Sequence, residues 1–154
     1  MIRPATMADA ATIRACAQAA FARYVPRMGC EPAPMSADIA AHVAREEVCL
    51  ASDPDGRVLG YAICRVQARQ MLLDTVAVWP DHAGRGIGKR LIAHVEALAR
   101  GQGLTAVTLY TNAAMTENIA LYTALGYQRT GREVQDGFDR VIFRKGLGRA
   151  RHGS

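Results

Sequence analysis

Apolar residues recur with two different periods along this chain. Short runs in which apolar residues are continuous or alternate with polar ones predict β-strands, and runs in which they recur every three or four positions predict helices. The predicted strands cover residues 1–5, 48–51, 58–66, 71–79, 105–111, 127–133 and 138–144. The predicted helices are one from Ala10 that Asp9 caps and Pro26 ends, one that Ser36 caps, one from Lys89 to Arg100, and one from Thr116 or Asn118 to Leu125.

The order of these elements is β-α-α-β-β-β-α-β-α-β-β, with one β-α-β crossover among strands that hairpins otherwise connect. The pattern by itself predicts a mixed α/β domain. No internal repeat or linker interrupts it, so we expect a single domain over residues 1–147 and a short basic tail over residues 148–154.

A glycine-rich loop lies between the strand 71–79 and the next helix. Residues 81–88 read Asp-His-Ala-Gly-Arg-Gly-Ile-Gly. Glycines at every second position allow the backbone to approach an anion without an intervening Cβ. The helix that follows offers backbone N–H groups without partners and the positive end of its dipole. The segment therefore predicts a phosphate-binding loop, to which Arg85 and Lys89 add positive charge.

Two familiar glycine loops do not fit this segment. In the pattern G-x-x-x-x-G-K-[ST], the first glycine would fall on Ala83 and the hydroxyl residue on Arg90. The dinucleotide pattern G-x-G-x-x-G would require glycine at Lys89 or at Leu91. The loop therefore indicates a pyrophosphate-bearing ligand other than a magnesium-bound nucleoside triphosphate or NAD.

Composition narrows the class of protein. With 154 residues, of which 50% are hydrophobic and 21% charged, the chain has the size and balance of a globular domain. No apolar run approaches the roughly 20 residues that span a bilayer, and the first residues form no signal-peptide pattern, so we expect a cytoplasmic protein without a membrane partner. The basic residues behind the net charge of +5 are scattered, and a phosphate-rich cofactor accounts for part of them, so no nucleic acid is expected.

The four cysteines, Cys16, Cys30, Cys49 and Cys64, are spread along the chain without a C-x-x-C pair. None has a histidine at metal-ligand spacing, so the sequence predicts no metal site and no disulfide framework. We expect reduced thiols in the core. His82, beside the glycine loop, could act as a base or contact a phosphate, but a solvated loop histidine is the favoured interpretation.

The glycine loop and its flanks resemble the acetyl-CoA-binding motif of the GCN5-related N-acetyltransferase (GNAT) family, written [QR]-x-x-G-x-[GA]. Val-Ala-Val-Trp-Pro at 76–80 and Gly-Arg-Gly-Ile-Gly-Lys-Arg-Leu at 84–91 carry the resemblance. The Gln/Arg position is occupied by Ala83, so a side-chain contact is lost while the backbone cradle is kept. The resemblance implies acetyl-CoA as cosubstrate, with pyrophosphate on the loop backbone and pantetheine paired to the strand like an added strand. The implied contacts are Val76, Ala77, Val78, Gly84, Arg85, Gly86, Ile87, Gly88 and Lys89.

The resemblance covers nearly the whole chain and implies a GNAT-type acyl-CoA N-acyltransferase fold. That fold has a mixed, mostly antiparallel sheet of about seven strands with a V-shaped splay, flanked by about four helices. Pantetheine would enter where the strands at 71–79 and 105–111 separate. The implied activity is acetyl transfer to a primary amine of a small molecule or peptide by direct attack. The alternative is a non-catalytic acyl-CoA-binding or sensor module, and a homodimer is left open.

A second segment, residues 118–127, resembles the ALYEKLGF segment of the same family. The tyrosine of that segment commonly protonates the departing CoA thiolate, and this role carries over to Tyr122. The asparagine that many members place seven residues earlier falls on Met115, so Asn118 or Asn112 is the candidate for its contact with the cofactor. A core aromatic on a helix face is the alternative interpretation of Tyr122.

Amide formation also requires a neutral amine, so some group must accept a proton. Asp74 interrupts an apolar strand, where a carboxylate is costly unless it is paired or functional. Many GNAT members have an acid at the corresponding position, and Asp74 is therefore the candidate base, with Glu117 and Asp139 as weaker ones. The alternative is a structural aspartate that backbone donors or an arginine hold.

Overall fold

Within residues 1–148, the part of the chain that the computed structural model describes, there are seven strands and five α-helical segments. The strands are β1 (Ile2–Pro4), β2 (Val48–Ser52), β3 (Val58–Gln67), β4 (Gln70–Val78), β5 (Ala106–Asn112), β6 (Gln128–Gln135) and β7 (Phe138–Gly146). The helices are α1 (Ala10–Phe21), α2 (Val25–Met28), α3 (Ile39–Ala44), α4 (Ile87–Gly101) and α5 (Thr116–Ala124). Since α2 is a single turn, the four longer helices correspond to the four predicted ones. From position 149 onward, the predicted basic tail lies outside the described residues.

The seven strands form one sheet in the order β1-β2-β3-β4-β5-β7-β6. β4 and β5 are parallel, with Met71 opposite Val107 and Leu73 opposite Leu109, and α4 connects them along the chain. β2 is antiparallel to β1 and β3, and β7 is antiparallel to β5 and β6. The mixed, mostly antiparallel sheet with one crossover is thereby confirmed. The opening predicted between β4 and β5 stays a prediction.

Two compact units make up the chain. The first comprises Met1–Cys64 and Thr75–His94, and the second comprises Arg65–Asp74 and the described residues from Val95 onward. The core of the first unit includes the buried side chains of Ile13, Cys16, Ala17, Tyr24, Leu50, Tyr61 and Ile63. The core of the second includes those of Val95, Val107, Leu109, Tyr122, Tyr127, Val141 and Phe143. Each unit thus has an apolar core of its own, and the single domain predicted for residues 1–147 stays a prediction.

Asp38, and not Ser36, caps α3. The Asp38 carboxylate accepts a hydrogen bond from the Ala41 N–H at 3.0 Å, which satisfies one of the free donors of the first helical turn. Ser36 lies earlier, in the 3-10 turn Ala33–Ser36. The prediction for Ser36 was wrong because both residues are good capping types, and the turn before the helix uses the first of them.

Pro26 does not end the first helical region, contrary to the prediction. It lies in the first turn of α2, where the missing N–H of proline would have no partner in any case. Gly29 ends that turn in the left-handed conformation, with φ of 72°. A proline that looks like a stop in the sequence is therefore the start of a new turn.

Asp9 precedes α1 as predicted, but its side chain does not cap that helix. The carboxylate accepts hydrogen bonds from the Thr6 N–H at 2.8 Å and from the Arg3 guanidinium at 2.9 Å. The Arg3 guanidinium, together with Thr6, holds the pKa of Asp9 at about 2. Asp9 therefore fastens β1 to the turn before α1.

The buried face of α4 includes a charged residue, Glu96. Leu98 is 38% exposed, whereas Ala99 is fully buried and Glu96 is 7% exposed. Positions 92, 95, 96 and 99 follow helical spacing, so the buried stripe continues through Glu96. A carboxylate within that stripe requires a partner.

Three of the four predicted core thiols are buried, and the prediction was wrong for Cys30, which is exposed. Burial raises the pKa of Cys16 to about 12, and with a contribution from Cys64 it raises that of Cys49 to about 12. Burial also raises the pKa of Cys64 to about 11. These three thiols are un-ionised at neutral pH, and a thiol in that form is a poor nucleophile.

Candidate functional site

The glycine loop continues directly from the end of β4. After Val78, the residues Pro80–His82 form one 3-10 turn, Ala83 is extended, and α4 begins at Ile87. Ile87 is 4% exposed and anchors the first turn of the helix, whereas Arg85 and Lys89 are exposed. The predicted strand, loop and helix are thus present, with the helix starting two residues before the predicted Lys89.

Gly60 determines how closely β3 approaches the strand that leads into the loop. A Cβ at Gly60 would lie 2.5 Å from the Ala77 carbonyl oxygen, closer than such atoms can come, and 3.2 Å from the Val78 Cα, which is a tight contact. The Trp79 N–H also donates a hydrogen bond to the Leu59 carbonyl at 3.0 Å. The end of β4 is therefore held against β3 by backbone contacts.

Two of the three loop glycines have a backbone conformation that other residues rarely adopt. Gly84 has φ of 82° and Gly86 has φ of 77°, and no atom lies within 4 Å of a Cβ built on either. Gly88 has no such conformation, and its added Cβ would make an ordinary contact of 3.7 Å with Val78. The loop thus needs glycine at 84 and 86 for its path, and the open space around both leaves the backbone accessible.

The first turn of α4 presents backbone donors next to this open loop. Arg90 is the first helical residue whose N–H finds an acceptor of the helical kind, the Gly86 carbonyl at 3.1 Å. The N–H groups of the preceding residues 87–89 have no acceptor within the helix. Together with the helix dipole, they form a site of positive potential that suits a phosphate.

His82 differs from the solvated loop histidine that the sequence favours. Its ring is half-buried, and its Nδ1 is enclosed without a hydrogen-bond partner among the described residues. The backbone N–H of His82 donates to the Trp79 carbonyl at 2.9 Å and closes the 3-10 turn. The ring is therefore partly enclosed by protein and not fully solvated.

Asp74 is paired with an arginine. Arg65 Nη1 donates to the Asp74 carboxylate at 2.7 Å, with side chains 34% and 30% exposed respectively. The pairing removes part of the cost of a carboxylate in an apolar strand and leaves the group in contact with solvent. Both interpretations from the sequence, a structural partner of an arginine and a functional carboxylate, are compatible with this environment.

Tyr122 lies on α5 inside an aromatic cluster. Its side chain is 5% exposed, and its ring centroid lies 5.9 Å from that of Tyr127 and 6.1 Å from that of Phe143. The Tyr122–Tyr127 pair is T-shaped, an orientation that aromatic quadrupoles favour. Tyr122 is thus a core aromatic by its ring, which fixes its orientation but does not exclude a role for its hydroxyl.

Asn118 contacts Met115, the residue at the position where the resemblance expects an asparagine. The Asn118 amide lies 3.6 Å from the Met115 sulfur, and the Thr111 hydroxyl lies 3.8 Å from the same sulfur. Met115 is 6% exposed, so an apolar thioether fills this position. Asn112, the other candidate, uses its side-chain oxygen to accept a hydrogen bond from the Ala114 N–H at 2.9 Å.

The predicted site residues divide between the two units. Val76–Val78 and Gly84–Lys89 belong to the first unit, where the structure brings them together in one continuous segment. Asp74, Asn118 and Tyr122 belong to the second unit.

Among the described residues, no group of three or more potential ligands could hold a metal ion. None of the helices of residues 1–148 is long and apolar enough to cross a membrane.

The sequence interpretation missed Arg65 and Glu96. The hairpin that joins β3 and β4 brings the end of β3 toward Asp74, but no spacing in the sequence specifies Arg65 as the residue that pairs with it. Glu96 stands four residues after Ile92, on the stripe of α4 that is otherwise apolar. An acid within an apolar stripe indicates that the fold must supply a buried partner. The sequence already contains this signal.

Comparison with known proteins shows which sequences and structures are similar to this chain. The sequence model of the acetyltransferase (GNAT) family matches residues 14–127. A mycothiol acetyltransferase from an Arthrobacter species is 33% identical over 111 residues, covering 65% of this chain and 34% of that protein. The chain spans about a third of the length of the curated relatives it matches.

Solved structures share the fold over almost the whole chain, and two of them serve as examples. The ribosomal-protein-S18-alanine N-acetyltransferase from Escherichia coli aligns with a TM-score of 0.75 at 21% identity, covering 100% of this chain and 97% of that one. The PaiA N-acetyltransferase from Thermoplasma acidophilum, solved with coenzyme A, aligns with a TM-score of 0.78 at 18% identity, covering 95% and 98%.

Proposed function

The chain belongs to the acetyltransferase (GNAT) family, and on that premise we propose that it transfers an acetyl group from acetyl-CoA to a primary amine by direct attack. The observation that carries the proposal is the cradle after β4, in which two left-handed glycines lead into the N-terminus of a helix of 15 residues. Open glycine backbone followed by free helical N–H groups suits the pyrophosphate of coenzyme A.

The cofactor contacts follow from this cradle. The backbone from Gly84 to Lys89 donates to the pyrophosphate, and the side chains of Arg85 and Lys89 add charge. The backbone of Val76–Val78 pairs with the amides of pantetheine as an added strand would. Asn118 is the proposed contact from α5, with its amide beside Met115.

Direct attack is favoured because a covalent acyl-enzyme would need a reactive nucleophile. Three of the four cysteines are buried, and burial raises the pKa of Cys16, Cys49 and Cys64 to between about 11 and 12. In the proposed step, the amine nitrogen bonds to the acetyl carbon, the carbon–sulfur bond breaks, and the nitrogen loses a proton. Asp74 accepts this proton, directly or through a water that it holds, and Tyr122 gives a proton to the departing thiolate.

The proposed acceptor is the primary amine of a small molecule or a peptide. Acceptor pockets differ among proteins of one fold, so the names of relatives do not transfer to this chain. The cytoplasmic location and the homodimer that the sequence raises stay predictions. A panel of amines, polyamines, amino acids and N-terminal peptides would identify the acceptor class.

Calorimetry with acetyl-CoA, combined with release of free thiol in the presence of each amine, tests the proposed function. We expect acetyl-CoA to bind and at least one amine to accelerate thiol release. Cys30→Ser tests the exposed thiol and should keep this rate, because no acyl-cysteine forms. Binding without turnover for any amine would favour the acyl-CoA sensor, and the lack of binding would contradict both.

We expect Asp74→Asn to lower kcat at neutral pH by about three- to tenfold with little change in the Kd of acetyl-CoA, because the amide holds the water but accepts its proton poorly. Initial rates and calorimetry measure the two quantities. Asp9→Asn is a matched control, since it also removes a carboxylate that an arginine pairs. A lower melting temperature of Asp74→Asn with an unchanged kcat would instead assign Asp74 a structural role.

A further inference from the structure

The C-terminal end of α5 ties Tyr122 to Tyr127. The Tyr127 N–H donates to the Tyr122 carbonyl at 3.0 Å, and the Gly126 N–H donates to the Thr123 carbonyl at 3.1 Å. Gly126 has φ of 92°. This pair of hydrogen bonds around a left-handed glycine is the Schellman motif. The two residues whose bond spans five positions, here Tyr122 and Tyr127, often make side-chain contact in this motif. Here that contact is the T-shaped pair of the two tyrosine rings.

Tyr127 is itself held by a partly buried ion pair. Its hydroxyl donates to Glu96 Oε2 at 2.8 Å, and Lys145 Nζ lies 3.2 Å from both carboxylate oxygens of Glu96. Lys145 Nζ also lies 5.6 Å from the centroid of the Tyr127 ring. Burial and the adjacent Glu96 carboxylate raise the pKa of Tyr127, so its hydroxyl stays a donor. The ring is thus fixed at its hydroxyl, its face and its backbone.

We propose that Tyr127 is a positioning residue, which the Glu96–Lys145 ion pair holds in place and which in turn orients the ring of the candidate acid Tyr122. This inference rests on the proposed function, since it assigns a role through Tyr122. Glu96 lies in α4, Tyr127 lies between α5 and β6, and Lys145 lies in β7. They join elements that are 31 and 49 residues apart in the sequence around one aromatic pair.

The physical reason is that proton donation depends on the position of the phenolic oxygen. A donor must lie within hydrogen-bond reach of its acceptor, and a small displacement lowers the rate strongly. The Tyr122 ring lies against two aromatic neighbours, Tyr127 and Phe143. The Phe143 side chain has no polar atom, whereas Tyr127 has a hydroxyl that donates to the Glu96 carboxylate. Loss of that hydrogen bond would leave the packing in place and loosen the orientation.

A double-mutant cycle tests this inference. We expect Tyr127→Phe to lower kcat by roughly three- to tenfold in the otherwise unchanged protein, with the Kd of acetyl-CoA unaltered. In a Tyr122→Phe background, the same substitution should lower kcat no further, because no phenol remains to be oriented. Glu96→Gln keeps an oxygen that accepts from Tyr127 and should retain most of kcat, whereas Glu96→Leu should resemble Tyr127→Phe.

The possible results separate the positioning role from the proposed function. If Tyr127→Phe lowers kcat equally in both backgrounds, or not at all, Tyr127 does not act through Tyr122 and the inference is wrong. If Tyr122→Phe has the wild-type kcat, the acid role and the inference fall together, while acetyl transfer by the wild-type protein still stands. Melting temperatures identify any variant that is merely unfolded at the assay temperature.

Discussion

Replacing Tyr122 with phenylalanine is expected to lower kcat by about ten- to a hundredfold and to leave the Kd of acetyl-CoA nearly unchanged. Phenylalanine keeps the ring, and with it the contacts to Tyr127 and Phe143 at centroid distances of 5.9 and 6.1 Å. Only the hydroxyl is removed. The expected loss is modest for a general acid, because a thiol with an ordinary pKa near 8.5 leaves passably without protonation.

The measurement must report the chemical step. Product release limits kcat in many enzymes, and a slow release would hide the loss of an acid. A single-turnover experiment, with the protein in excess over acetyl-CoA and the amine at saturation, avoids this problem. A Phe variant that reacts at the wild-type rate in that experiment would exclude Tyr122 as the acid and leave its ring with a packing role alone.

Gly86→Val is expected to weaken acetyl-CoA binding at least about tenfold, or about 1.4 kcal/mol. The added side chain would extend into the open space beside the loop, where no protein atom lies within 4 Å of a Cβ. That space is where the proposed pyrophosphate approaches the backbone. Valine would also strain the loop, because φ at this position is 77° and a β-branched residue rarely adopts it.

Gly103→Val is the matched control for that strain. Gly103 has φ of 74° and likewise has no atom within 4 Å of an added Cβ, but it follows the C-terminus of α4. Both variants should lose a similar free energy of unfolding, on the order of 1–2 kcal/mol. Only Gly86→Val should bind acetyl-CoA more weakly by calorimetry. Equal affinities for the two variants would place the pyrophosphate elsewhere.

The choice of glycine in this experiment depends on the structure. The sequence treats Gly84, Gly86 and Gly88 alike, as three glycines that open a loop. Only the first two have a left-handed φ, whereas Gly88 lies in the helix and its Cβ would make ordinary contact with Val78. Gly88→Ala is therefore the gentler substitution, and its effect on binding should be smaller than that of Gly86→Val.

Local patterns in the sequence determined the strands, the helices and the glycine loop between β4 and α4. Periodicity predicted all seven strands and the four longer helices, and the glycines behind an apolar strand predicted the loop between β4 and α4 that the structure contains. These features depend on residues only a few positions apart, where backbone geometry and side-chain spacing act directly. The errors at Ser36 and Pro26 are also local, since each arises where two neighbouring residues or turns compete for one role.

The tertiary structure alone decided the partners of the charged and aromatic side chains. Arg65 with Asp74, and Glu96 with Tyr127 and Lys145, are pairs whose members lie nine to 49 residues apart. A carboxylate among apolar residues requires a partner, but no spacing in the sequence specifies which of the many arginines, lysines or tyrosines supplies it. Packing of helices and strands into a core selects that partner, because only the folded chain brings the groups within hydrogen-bond distance.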